Sequence, residues 1–171
     1  MGKNNENIYI WHSSYASMGA SANNIAVGTS INQWSDVDSG YGDLSFTLPT
    51  LNFTYENNPQ DNLRFQAKIG FGLSDDSDND EDGDSYDVKI KNLIQIKGLY
   101  FFNDSIYAAA TYTRYKLDFY SEYDDESISD SDKDFGFQLG LRLNNLELYA
   151  GPTFSKDDKG ENVEFGFNYF F

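Results

Sequence analysis

Asp75, Asp76, Asp78, Asp80, Glu81, Asp82, Asp84 and Asp87 form the densest group of potential ligands in the chain. Within it, Asp78-x-Asp80-x-Asp82-Gly83 has the spacing of the first half of a calcium loop. In such a loop alternate oxygens converge on a hard cation and glycine permits the sharp turn. The twelfth position should carry a bidentate carboxylate, and here it is Lys89. The spacing therefore leaves two readings: weak Ca²⁺ binding by Asp78, Asp80, Asp82 and Asp84, or a solvated acidic loop. A second acidic group, Glu122, Asp124, Asp125, Glu126, Asp130 and Asp132, is expected at the same rim. His12-Ser13-Ser14 places the lone histidine beside hydroxyls without an evident acidic partner, so no catalytic pair is read there. With no cysteine and one histidine, thiolate chemistry and multi-histidine metal centres are excluded. No other cofactor is expected.

The remaining charges belong to a pattern. The chain has 12 Lys+Arg against 28 Asp+Glu, a formal net charge of −16, which excludes a nucleic-acid binder. From Asn23 onward, apolar and polar residues alternate with period two, as in a strand with two unlike faces. Val163, Phe165, Phe167, Tyr169 and Phe171 oppose Asn162, Glu164, Gly166 and Asn168; Phe135, Phe137, Leu139, Leu141 and Leu143 oppose Gly136, Gln138, Gly140 and Arg142. Similar segments cover residues 24–34, 43–56, 63–73, 86–101, 105–120 and 146–154. In 105–120 the odd positions, Tyr107 to Phe119, are taken as the apolar stripe. In 43–56 the stripe changes phase at Pro49, which is read as a bulge.

These are eight segments, mostly of about ten residues, the length needed for a tilted strand to cross a bilayer. Short connections (Asn57–Asn62, Asn103–Asp104, Asn144–Asn145) alternate with long ones (Ser35–Gly42, Ser74–Asp84, Glu122–Lys133). The stripes hold far more large residues than the interior of an eight-stranded barrel admits. They are therefore placed outward, and the chain is read as all-β: an eight-stranded antiparallel up-and-down transmembrane β-barrel over 23–171. The first 22 residues are expected to be a leader-like segment, with Ala20-Ser21-Ala22 as a small-residue cleavage site, or an N-terminal extension. The inward face then carries Arg64, Lys68, Lys89, Lys91, Lys97, Arg114, Lys116 and Arg142 with Asp87, Asp118, Glu147 and Glu164, an ion-pair network filling a narrow lumen.

The final segment, Glu164-Phe165-Gly166-Phe167-Asn168-Tyr169-Phe170-Phe171, fits the outer-membrane assembly signal: polar, any, Gly, any, any, aromatic, any, aromatic. Glu164, Gly166, Tyr169 and Phe171 are its marker positions. With the eight-segment layout, the chain resembles the small OmpX/Ail-type and OmpA-type outer-membrane barrels. That resemblance implies an integral protein of the bacterial outer membrane with extracellular long loops, a structural or adhesive role, and no catalytic residues. It implies as partners the lipid bilayer, lipopolysaccharide, the outer-membrane assembly machinery and an extracellular ligand, with the protein a monomer. A narrow solute channel and a soluble β-sandwich binder are the alternative readings.

Overall fold

Residues that alternate in polarity cannot satisfy both faces in one solvent, so the sheet they form must separate two environments. The computed structural model describes residues 24–38, 43–57, 62–79, 83, 85–121, 126–155 and 161–171. Its strands are β1 (Ile25–Asp38), β2 (Asp43–Asn57), β3 (Leu63–Gly72), β4 (Asp75–Asn79), β5 (Ser85–Phe101), β6 (Ile106–Ser121), β7 (Glu126–Leu143), β8 (Leu146–Ser155) and β9 (Glu161–Phe170). Neighbours are antiparallel, and β1 also pairs β9 from Ala26↔Phe170 to Ser35↔Glu161. β3 pairs the second half of β5, and β4 pairs its first half. The two short strands thus share one place in the wall, giving a closed eight-stranded barrel. Closure leaves no long unpaired edge. Asn144 has φ 54, the left-handed conformation that a two-residue hairpin turn needs.

Most large apolar side chains point outward. Phe53, Tyr55, Phe65, Ile69, Ile94, Ile96, Phe135 and Phe165 are exposed, and Phe137 and Leu139 reach 66% and 67%. They form a belt whose upper edge runs through Ile31, Pro49, Ile94, Tyr112, Phe135 and Phe154. No helix among the described residues is long and apolar enough to cross a membrane, which says nothing of a barrel. The closed barrel with its apolar exterior replaces the soluble-sandwich alternative.

Above the belt the strands continue, and the sense of inside and outside reverses. Leu44, Phe46 and Leu48 face inward in phase with Thr50, Asn52, Thr54 and Glu56, and the β1–β2 register runs unbroken through Ile31↔Pro49. The bulge expected at Pro49 is therefore absent. Pro49 lies opposite Leu73, just past the end of β3, where its missing N–H leaves no gap in the ladder. The irregularities fall instead between Trp34 and Val37 and between Ile90 and Asn92. The face assigned to β6 is also corrected. Tyr107, Ala109, Tyr115 and Leu117 point inward, and Arg114 and Lys116 point outward. The expected loop Glu122–Lys133 is strand from Glu126 onward, paired with Arg114–Ser121.

Segment 1–22, with His12 and Ala20-Ser21-Ala22, lies outside the described residues, as do Asp80, Asp82, Asp84, Glu122, Asp124 and Asp125.

Candidate functional site

Inward polar residues at mid-barrel are far from bulk water, so each charge needs a partner within the wall. Toward the short-turn end, Arg142 on β7 forks onto Glu56 on β2, with Nη1 and Nη2 donating to Oε1 and Oε2 at 2.7 and 2.6 Å. Its Nη2 also pairs with Glu147 on β8. Gln66 Nε2 donates to both carboxylates at 2.9 Å, and Tyr107 Oη donates to Glu147 Oε1 at 2.6 Å. Arg64 pairs with Glu56 at 3.4 Å and stacks 4.0 Å over Phe101.

Toward the loop end, Lys68 pairs with Glu164, both fully buried. Glu164 Oε2 also accepts from Gln95 and Gln138, each at 2.7 Å. Lys97 is fully buried too, with Nζ 3.5 Å from the Tyr149 ring centroid and no hydrogen-bond partner among the described residues. Glycines on this face make room for aromatic rings. A Cβ on Gly140 would fall inside the Tyr107 ring, and one on Gly166 would meet Tyr149 Oη at 2.7 Å.

Apolar groups close the polar section at both ends. Leu99, Phe101, Tyr107 and Ala109 pack at the turn end. At the loop end Trp34, Leu48, Ile90, Leu93, Tyr115 and Leu117 form a larger core, with the Trp34 and Tyr115 rings edge-to-face at 5.2 Å. The lumen is thus a packed interior, as expected for eight strands.

Outside, above the belt, the wall is charged. Lys89, Lys91, Arg114, Lys116 and Lys133 are exposed on β5, β6 and β7. Lys91 Nζ lies 3.1 Å from Asp118 Oδ2. The Ser129 hydroxyl, and then Lys91, hold the Asp118 carboxyl below the usual carboxylate range.

The acidic connection begins as strand rather than as a cation loop. Asp75–Asn79 pairs with Ser85–Lys89, and Gly83 has φ 89. The Ser45 N–H donates to Asp78 Oδ2 at 2.8 Å and the Thr47 N–H to Asp76 Oδ2 at 2.6 Å. The two carboxylates thereby satisfy β2 donors beyond the end of β3. No carboxylate or histidine cluster able to hold a metal is present among the described residues. Deleting 76–83 would strip β2 of these acceptors. Asp76→Ala/Asp78→Ala is expected to cost about 2–3 kcal/mol, from about 1–1.5 kcal/mol for each hydrogen bond. Amide exchange at Ser45 and Thr47 should accelerate while mid-barrel amides stay protected; unchanged exchange at both would show that these bonds do not matter.

No family model matches the chain, and no curated relative matches it. Solved structures do. Ail, the attachment invasion locus protein of Yersinia pestis, is 16% identical with a TM-score of 0.51, over 86% of this chain and 97% of that one. Ail in complex with the heparin analogue sucrose octasulfate gives 18% identity and a TM-score of 0.52, with the same coverage. Neisserial surface protein A is 14% identical with a TM-score of 0.55, again over 86% and 97%. The chain has the fold of a small outer-membrane β-barrel.

Within this outer-membrane barrel fold, the residues expected in the lumen divide. Lys68, Lys97, Glu147 and Glu164 are fully buried, Arg64 and Arg142 nearly so, and among the described residues all but Lys97 form ion pairs. Lys89, Lys91, Arg114, Lys116, Asp87 and Asp118 are not in the lumen but on the outer wall above the belt. They were misplaced because the strands outlast the belt. Glu56, Gln66, Gln95, Gln138 and Tyr107 complete the network; the expected ion-pair set does not include them, although Gln138 stands on the expected inward face, while Tyr107 is expected on the outward stripe. For Glu56 a signal existed in its even phase with Thr50, Asn52 and Thr54. Of the assembly-signal positions, Glu164 points inward, Gly166 lies under Tyr149, and Tyr169 and Phe171 stand exposed at the turn-end rim with ring centroids 5.4 Å apart.

Proposed function

We propose that the protein is an integral, non-enzymatic barrel of the bacterial outer membrane that presents its acidic, long-connection end to the outside in a structural or adhesive role. The observation that carries this reading is the apolar belt around a closed barrel whose interior holds the charges. An exposed apolar surface this extensive needs hydrocarbon against it. The exposed aromatic rim at Tyr169 and Phe171 supports recognition of the last strand by the assembly machinery. An adhesive role is supported by the likeness to Ail, whose structure with a sulfated sugar analogue is known. Lipopolysaccharide is the expected neighbour of the upper wall.

Heat-dependent mobility in SDS after refolding into detergent is the decisive test. A faster band before boiling, with β-rich circular dichroism, is the expected result. A monodisperse monomer in plain buffer, with no shift, would sink the reading. The packed interior argues against a channel. Planar bilayers containing the refolded protein are expected to show no steady openings, and steady openings sensitive to Lys68 substitution would restore the channel reading.

A further inference from the structure

Asp134 on β7 is a fully buried carboxyl that points inward just above the belt, one residue beyond Phe135 at its upper edge. Its Oδ2 accepts from Thr153 Oγ1 on β8 at 3.1 Å and from Asn162 Nδ2 on β9 at 3.0 Å. One carboxyl thus ties three strands. The tie lies against the loop-end core, because Asn162 is the cross-strand partner of Trp34. The other oxygen, Oδ1, is buried without a hydrogen-bond partner among the described residues, and so is Asn162 Oδ1.

No lysine or arginine pairs with Asp134 among the described residues. The groups that face it are like charges or neutral. On its own strand stands Asp132, 5% exposed, which accepts from Ser155 Oγ of β8 at 3.1 Å. Glu164 on β9 adds a second negative charge and is already engaged by Lys68 of β3. β6 brings Thr113, the cross-strand partner of Asp134, and the Tyr115 phenol, which donates to Asn32 of β1 at 3.2 Å. Burial, and then the neighbouring Asp132 and Glu164 carboxylates, push the Asp134 carboxyl up to about 6 against the pull of Asn162 and Thr153.

A desolvated carboxylate without a cation is costly. A proton on Oδ1 removes the charge and turns an idle acceptor into a donor, in a pocket where the Asn162 oxygen lacks one. Both Oδ2 bonds survive the change, since that oxygen only accepts.

We propose that Asp134 is an acid-operated clasp of the loop end: protonated, it ties β7 to β8 and β9, and ionised, it loosens the core above them. In the unfolded chain the group ionises at about 3.9. Stability of the clasp is therefore full below about pH 4, falls as pH rises through about 6, and is level above that. The long-connection end is accordingly tighter in mildly acidic surroundings than in neutral ones, whatever its loops bind.

The test is carboxyl ¹³C NMR of the refolded protein in an uncharged detergent, with amide exchange at Thr153 and Asn162 read on the same sample. The Asp134 carboxyl is expected to titrate with a midpoint near 6. Corrected for the intrinsic rate, exchange at the two amides should quicken about tenfold between about pH 5 and about pH 8. Asp134→Asn keeps the shape but cannot ionise, so its corrected exchange should not change across that range. Asp132→Asn removes one like charge and should lower the Asp134 midpoint, with the exchange profile moving alongside it. A carboxyl midpoint at about 4 would overturn the proposal. So would an Asp134→Asn protein that keeps the pH dependence of the unaltered one. Ca²⁺ restoring protection at about pH 8 would make a cation, not a proton, the missing partner, and would overturn it equally. If Asp134→Asn does not fold, Asp132→Asn decides by the same readouts: exchange that follows the lowered midpoint supports the clasp, and exchange that ignores it overturns the clasp.

Discussion

Replacing Arg142 by alanine is expected to destabilise the barrel by about 3–5 kcal/mol, the cost of stranding a buried charge. Two carboxylates are stranded here. Glu56 and Glu147 are 1% and 0% exposed, and Arg142 bridges them across the barrel interior. Gln66 donates to both but carries no charge, and Arg64 meets Glu56 at the longer distance of 3.4 Å. The readout is the urea midpoint of the heat-dependent mobility shift in detergent. A loss below about 1 kcal/mol would show that water or another cation takes the place of Arg142.

The same cluster also separates net stabilisation from mutual dependence. Desolvating three ions costs several kcal/mol each, and their attraction returns roughly that amount. Arg142→Met combined with Glu56→Gln and Glu147→Gln removes the three charges of the cluster together, at the cost of the longer Arg64–Glu56 pair, and Tyr107 keeps an acceptor. Most of the stability lost in Arg142→Ala should return in the triple variant. A triple variant as unstable as the single one would mean that the ion pairs contribute strongly in their own right.

How much of this was legible depends on which solvent a stretch of strand meets. Within the belt, alternation reads directly: Val163, Phe165, Phe167 and Tyr169 are exposed, while Asn162, Glu164 and Asn168 are buried. One polarity rule holds there, because hydrocarbon lies outside and a polar network lies inside. Above the belt water lies outside and an apolar core inside, so the same alternation means the opposite. Tyr115 and Leu117 were read as an outer stripe, and Arg114 and Lys116 as lumen charges, because nothing in the residues of β6 marks where the belt stops. Register errors have a similar origin. The β5 bulge at Lys91 has no glycine or proline to announce it, whereas Pro49, which looks like a bulge, sits in continuous register. Glu56 was legible only from its even phase with Thr50, Asn52 and Thr54, which the phase change assumed at Pro49 obscures. The acidic run was read as a loop because its composition fits one, yet Asp76 and Asp78 act as acceptors for the β2 backbone.

The second large effect is expected at the seam where the first strand meets the last. Gly28 on β1 is paired with Asn168 on β9, and a Cβ built on it would lie 1.9 Å from the Phe167 carbonyl oxygen and 2.8 Å from Asn168 Cα. Those are backbone atoms of the closing strand, so no rotamer change relieves the clash; β1 and β9 must separate or slip. A one-residue slip would send Glu164 into the belt and Phe165 into the lumen, which the polarity of both faces forbids. Gly28→Ala is therefore expected to cost at least the ~1–3 kcal/mol of core overpacking, and Gly28→Val more, with loss of the heat-dependent band. Gly98→Ala is the matched control. Its Cβ would meet nothing nearer than Phe65 Cε1 at 3.8 Å, an ordinary contact. Removing a glycine from a strand interior there should be neutral or stabilising by about 0.5–1 kcal/mol. If Gly28→Ala and Gly98→Ala unfold at the same urea concentration, the seam tolerates a side chain and barrel closure does not depend on this close approach. If only Gly28→Ala falls, closure of β1 on β9 depends on this close approach. That is the pairing most distant in sequence, and it is the one that removes both free edges at once.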